Sequence, residues 1–242
     1  MLVRPPFEVY LTRRSGRSAF APDAFVFPGG TVDAQDESPA ARERARGLEP
    51  DRLAREFRSA PPPEAAAALL LAGVRELFEE AGVLLAKTEA GEPAGERDLN
   101  ESERRAVREG SLAFATFLAN HGLYADTQAL ALFSHWITPY SEPRRYDTHF
   151  FTAVAPPGQI ALADAIETHD GVWISPDEAL ARRRAGTMHL VYPTIKHLER
   201  LRAFENPAAL VTFAHTKEIP AILPVDSDRG GFEISPDLEN AW

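Results

Sequence analysis

Hydrophobic positions along the chain follow two periods, and the change from one to the other marks the elements. Phe7 to Thr12 alternates around Val9, Tyr10 and Leu11, which predicts a strand. Phe25-Val26-Phe27 predicts a second, stopped by Pro28-Gly29-Gly30. Residues 37–63 carry two short Ala/Arg/Glu-rich helical stretches and end in three prolines. Glu64 to Ala81 is rich in Ala, Leu and Glu, a strong helix, with Gly82 where a C-terminal cap belongs. The polar stretch 87–100 reads as an exposed loop. Asn100 with Glu103 makes a capping pair for a helix to about Asn120, closed by Gly122.

Ala129 to Ile137 and Tyr146 to Val154 are predicted strands around a turn from Pro139 to Pro143, and Gly171 to Ile174 is a short one. Ser175-Pro176-Asp177-Glu178 opens a helix that stops at Gly186, and Pro193 to Phe204 forms another. From Asn206 onward the expectation is short extended pieces and turns. Strands, a long helix, more strands and then helices predict an α/β (α+β) arrangement: a mixed sheet with helices on both faces.

Composition narrows the classes. No run of 18 apolar residues is present, so no membrane span is expected. The first residues lack the apolar core of a secretory signal, and a cytoplasmic location is expected. There is no cysteine, which removes disulfides, thiolate metal sites and cysteine nucleophiles. A net charge of −10 argues against a nucleic-acid partner, which needs a basic face. An acidic chain still handles phosphates where a cation mediates.

Glu76, Glu79 and Glu80 are separated by three and four residues, so on a helix they share one face. Such a cluster is either a solvated surface or a cation site. Oxygen-only ligation selects a hard ion, Mg²⁺ or Mn²⁺. Upstream, Phe27-Pro28-Gly29-Gly30 ends a strand in a glycine pair, which lets backbone approach a ligand closely.

Gly30, Asp36 and Arg75-Glu76-Leu77-Phe78-Glu79-Glu80-Ala81-Gly82-Val83 together resemble the Nudix box, G-x5-E-x7-R-E-U-x-E-E-x-G-U, where U is aliphatic. The second half matches at every specified position. Asp36 stands where the pattern has Glu, and residues 37–74 replace the usual seven, so the box is split by 31 extra residues. Loop-closure cost grows only logarithmically with length, so the insertion is tolerable. A split box resembles the Nudix subgroup related to the mammalian peroxisomal coenzyme A diphosphatases. Leu11-Thr12-Arg13-Arg14-Ser15, Trp136-Ile137-Thr138-Pro139 and Pro143-Arg144-Arg145-Tyr146-Asp147-Thr148 also resemble it, although Ala19 and Asp23 replace an Arg and a Gly of that subgroup's signature.

This resemblance implies a Nudix-like α/β/α sandwich with inserted and C-terminal helices. On it, residues 1–242 form one domain with a helical insertion about 37–63 and an extension about 187–242. It implies metal ligation by Glu76, Glu79, Glu80 and the Gly30 carbonyl, with Mg²⁺ or Mn²⁺ as cofactor. Arg75 is expected to orient a glutamate by a charge-assisted bond. Glu79 is a ligand or the general base, and Glu167 is the best later candidate for the base, with His169 and Asp170 as neighbours. Arg13, Arg14, Arg144 and Arg145 are candidates for substrate phosphates, since the guanidinium fork suits them; Asp147 is expected to pair with Arg144 or Arg145.

The implied reaction cleaves coenzyme A or acyl-coenzyme A to 3′,5′-ADP and a phosphopantetheine. ADP-ribose, dinucleotide or sugar-nucleotide cleavage and a non-catalytic nucleotide-binding module are the alternatives. The expected partner is a small nucleotide-diphosphate substrate, and a homodimer is admitted. Phe114, Phe117, Leu118, Trp136 and Trp173 read as core or pocket wall. His135, His149, His189, His197 and His215 form no close-spaced metal motif in the sequence.

Overall fold

A computed structural model describes residues 1–16, 21–58, 61–95, 98, 100–163, 168–228, 230–239 and 242, with the backbone alone at 168 and 169. The chain opens with β1 (Leu2–Arg4), β2 (Glu8–Arg14) and β3 (Phe25–Val26). The inserted stretch follows, with α1 (Pro39–Glu43), β4 (Ala45–Arg46) and α2 (Pro50–Glu56). Then come α3 (Pro63–Ala81), β5 (Ala86–Thr88), α4 (Glu101–Arg108), α5 (Phe114–Asn120) and β6 (Leu123–Asp126). The second half holds β7 (Ala131–Ile137), β8 (Asp147–Val154), β9 (Thr168–Ile174), α6 (Pro176–Arg184), α7 (Tyr192–Leu201) and α8 (Pro207–Thr216). Short strands β10 (Ala221–Ile222), β11 (Val225–Asp226) and β12 (Phe232–Glu233) follow.

The main sheet is mixed. It runs β10-β7-β8-β1-β2, with β1·β8 and β10·β7 parallel. Val9 of β2 pairs with Val3 and with Ile174, and Arg13 pairs with Phe25 and with His169. β1 and β3 therefore share one edge of β2, and β9 takes the other. Side chains alternate between two cores, as the pleat requires. Leu2, Tyr10, Phe151 and Ala153 pack under α3 with α5, while Val3, Val9, Leu11 and Phe133 pack under α6, α7 and α8. This is the expected α/β/α sandwich.

The inserted stretch is integrated rather than looped away. β4 pairs parallel with β6, and β5 pairs antiparallel with β6, making a second three-stranded sheet. Arg52 of α2 donates to the carbonyls of Gly47, Thr127 and Leu130. These strands are two to four residues long, too short for an alternating pattern to reveal.

Two predicted segments are corrected. The single helix to Asn120 is two, α4 and α5, parted by Gly110-Ser111-Leu112; Asn100 caps the first by accepting from Ser102 N, with no reciprocal bond from Glu103, whose carboxylate instead meets His121. The tail contains a full helix, α8, capped by Asn206 accepting from Ala209 N. Among the described residues, no helix is long and apolar enough to cross a membrane.

Candidate active site

α3 begins at Pro63, whose fixed φ suits the first helical position, and Glu64 places negative charge in the first turn. Its Ala- and Leu-rich face is buried against the sheet, and Gly82 ends it in the left-handed conformation (φ 66°). Its C-terminal half carries Arg75, Glu76, Glu79 and Glu80. A solvated acidic face would leave these side chains in water. Instead Arg75 is 3% exposed, Glu79 and Glu80 are 7% exposed, and Asp36 is 2% exposed.

Arg75 organises the group. Its Nε donates to Asp36 Oδ1 and its Nη2 to Asp36 Oδ2, both at 2.9 Å, a two-pronged pairing. Nη1 donates to Glu76 Oε1 at 2.9 Å and to Glu79 Oε1 at 3.1 Å, and Nη2 also reaches the Thr31 carbonyl at 3.0 Å. Burial opposes the charge on this guanidinium. The Asp36 bond and the charges of Glu76, Asp36 and Glu79 outweigh that and raise its pKa further above the ordinary arginine value.

The glycine corner is seated on the same helix face. Gly29 N donates to Glu80 Oε2 at 3.0 Å. A Cβ built on Gly30 would lie 2.5 Å from Glu76 Cδ and 2.6 Å from its Oε2, so only glycine admits the carboxylate there. Thr31 carbonyl, Asp36 and the two glycines thus wrap the acid-bearing end of α3. The split in the sequence does not separate the two halves of the motif in space.

Asp36 is the larger gain over the sequence. The spacing from Gly30 was its only signal, and 38 intervening residues hid its position against Arg75. Arg104 was missed altogether. Buried at 4% exposure, it donates to the Glu79 carbonyl at 3.0 Å and to the Leu162 carbonyl at 2.9 Å, and pairs with Glu101 at 3.1 Å. It secures the end of α3 where unpaired carbonyls gather.

The candidate phosphate-binding arginines lie on β2 and on the turn joining β7 to β8. Arg13 pairs with Asp23 at 2.9 Å and Asp170 at 3.6 Å, and Arg14 lies next to it at the end of β2. Arg144 and Arg145 lie on the turn joining β7 to β8. Arg145 donates to the Thr138 carbonyl at 2.9 Å and stacks 4.1 Å over Tyr140. Asp147 pairs with neither; its partner is His135, at 2.5 Å, because β-pairing sets those two side chains on one face. Glu167 and the side chain of His169 lie outside the described residues.

The comparisons agree with this architecture. Residues 3–201 match the family model described as the NUDT19 Nudix domain. The chain is 31% identical to the Acyl-coenzyme A diphosphatase NUDT19 of Gallus gallus, over 88% of this chain and 66% of that protein. It is 30% identical to the protein of the same name from Homo sapiens, over 87% of this chain and 65% of that one. The chain thus spans slightly less than two thirds of the length of these curated relatives. Among solved structures, a NUDIX hydrolase from Alicyclobacillus acidocaldarius superposes with a TM-score of 0.73 at 27% identity, covering 88% of this chain and 93% of that one. The chain belongs to the Nudix family, in the group of the NUDT19 Nudix domain.

Proposed function

We propose that this chain is a divalent-metal-dependent diphosphatase that cleaves coenzyme A or an acyl-coenzyme A to 3′,5′-ADP and the corresponding phosphopantetheine. One observation carries the reading: Gly29-Gly30 closes directly on Glu76 and Glu80, so the glycine backbone and these two carboxylates meet in one place. The substrate is supported by the activity for which the relatives of Gallus gallus and Homo sapiens are named.

The donor set fits a hard cation. Carboxylates of Glu76, Glu79 and Glu80 and the Gly30 carbonyl offer oxygen alone, which suits Mg²⁺ or Mn²⁺. Bound there, the ion supplies charge to the diphosphate oxygens and acidifies the attacking water. Arg75 is a positioning residue: it fixes Glu76 and Glu79 and is itself fixed by Asp36. Glu79 or Glu167 takes the proton from water. Arg13, Arg14, Arg144 and Arg145 bind substrate phosphates through their planar forks.

The test is product analysis by mass spectrometry after incubation with coenzyme A, an acyl-coenzyme A, ADP-ribose, a dinucleotide and a sugar nucleotide, each with Mg²⁺ or Mn²⁺. Release of 3′,5′-ADP is expected, with Glu80→Gln slower by at least about 10²-fold. Cleavage of ADP-ribose with coenzyme A untouched overturns the substrate. No turnover above the Glu80→Gln level on any substrate overturns the enzyme in favour of a nucleotide-binding module.

A further inference from the structure

We propose that His135, Asp147 and His149 form a second cation site, of the type that takes Zn²⁺ rather than Mg²⁺, at the base of the β7–β8 turn. The sequence separates the two histidines by 13 residues, and the ladder brings them together: His135 pairs directly with His149, and Ile137 with Asp147. An irregularity between Leu132 and Ser134 matters here. The extra residue reverses the alternation, so Ser134 turns to His197 on one face and His135 joins His149 and Asp147 on the other.

The geometry points to a ligand. The donor atoms of all three residues lie within 4.8 Å of one another. The imidazole rings stack 4.2 Å apart at 12°. Asp147 Oδ1 is 2.5 Å from His135 Nε2 and 3.8 Å from His149 Nδ1, too far from the latter for a hydrogen bond. The His149 side chain is only 7% exposed, and its Nδ1 is buried with no hydrogen-bond partner. An orphaned nitrogen in such a place carries a desolvation cost that a metal–nitrogen bond removes. Phe57, from the inserted stretch, backs this ring at 5.9 Å. Asp147 is 63% exposed and leaves a path from solvent.

Two imidazoles and one carboxylate with an open fourth position make a zinc-type donor set. It differs in kind from the oxygen-only set on α3, so the two sites select different ions. A bound ion would tie β7 to β8 where the chain enters the turn carrying Arg144 and Arg145.

The full chain, stripped of metal and returned to excess Mg²⁺ to saturate the oxygen site, is titrated with Zn²⁺ by calorimetry and with Co²⁺ by visible absorption. One Zn²⁺ per chain is expected in the presence of Mg²⁺, with Co²⁺ giving the intense bands of a tetrahedral nitrogen–oxygen site. His149→Gln and Asp147→Asn should each weaken binding by about tenfold or more, while Glu80→Gln leaves it unchanged. Asp147→Asn changes an exposed side chain and keeps the fold, which circular dichroism verifies. Absence of Mg²⁺-resistant binding in the wild type, or equal binding by Asp147→Asn, overturns the site.

Discussion

Asp36 and Arg75 stand 39 positions apart and meet through two hydrogen bonds of 2.9 Å, both carboxylate oxygens facing the guanidinium edge. Asp36 also accepts from Asp33 N at 2.8 Å, which fixes the turn that presents it. The pair stitches the start of the split motif to its end. Without Asp36 the guanidinium keeps Glu76 and Glu79 but loses its two-pronged partner while still buried. Breaking one side of a buried ion pair costs about 3–5 kcal/mol. Asp36→Ala should therefore lose about 3 kcal/mol in urea unfolding, the low end because the glutamates remain. Asp36→Glu, which restores the residue of the family pattern, should recover most of it.

Gly30 makes a separate prediction because its neighbour is a side-chain end, not backbone. An alanine methyl there collides with the Glu76 carboxylate, which can swing aside without disturbing the core. Gly30→Ala should leave the unfolding free energy within about 1 kcal/mol of wild type. Displacing a carboxylate by about 1 Å costs on the order of 10²-fold in rate. A metal-dependent rate close to wild type with normal stability would contradict the proposed role of Glu76.

How far these features were legible depends on the range of the interaction that sets each one. α3 was legible because its cause is local: prolines before it, alanine and leucine through it, Gly82 after it. The shared face of Glu76, Glu79 and Glu80 follows from helix periodicity alone. The seat of Asp36 was not legible, because it is set by how residues 37–62 fold back on β6, through strands of two to four residues. The meeting of His135 with His149 depends on ladder register and on one irregular residue, neither of which leaves a signal at fixed spacing. α8 was missed because turn residues on both sides masked Leu210 and Ala214, one helical turn apart and both buried.

His197 governs part of the acid stability. Its side chain is fully buried in α7, 2.6 Å from Ser134 Oγ and 2.6 Å from the Pro193 carbonyl. Burial lowers its pKa from 6.5 to about 3, against the opposing pull of the Pro193 bond, with Lys217 lowering it further. The unfolded chain then binds a proton that the folded chain refuses between those values. This group's contribution is complete above pH 6.5 and falls as pH drops through the window from 6.5 to about 3. Linkage gives a loss of about 2 kcal/mol between pH 7 and pH 5. Urea midpoints at those two pH values should diverge less in His197→Phe, which is less stable at pH 7 but lacks the titrating ring. An identical pH slope in the variant would rule out this origin.

Arg104 tests whether the end of α3 must be held for the site to work. Its guanidinium holds three groups at once: the Glu79 carbonyl on α3, the Leu162 carbonyl on the loop after β8, and Glu101 on its own helix. It lies against Gly82, where a Cβ would stand 3.1 Å from its Nη1. A lysine offers a point charge in place of the planar fork and cannot serve both carbonyls in the same geometry. Arg104→Lys should lose about 1–2 kcal/mol, since one buried carbonyl is left without its donor. Glu79 is the residue whose backbone is released, so its side chain should lose its fixed position before Glu76 does. The turnover rate of Arg104→Lys should fall while KM for the diphosphate substrate changes little, because the bonds of the arginine go to the end of α3, the Leu162 loop and Glu101. A rise in KM at constant turnover rate would instead assign Arg104 to substrate binding.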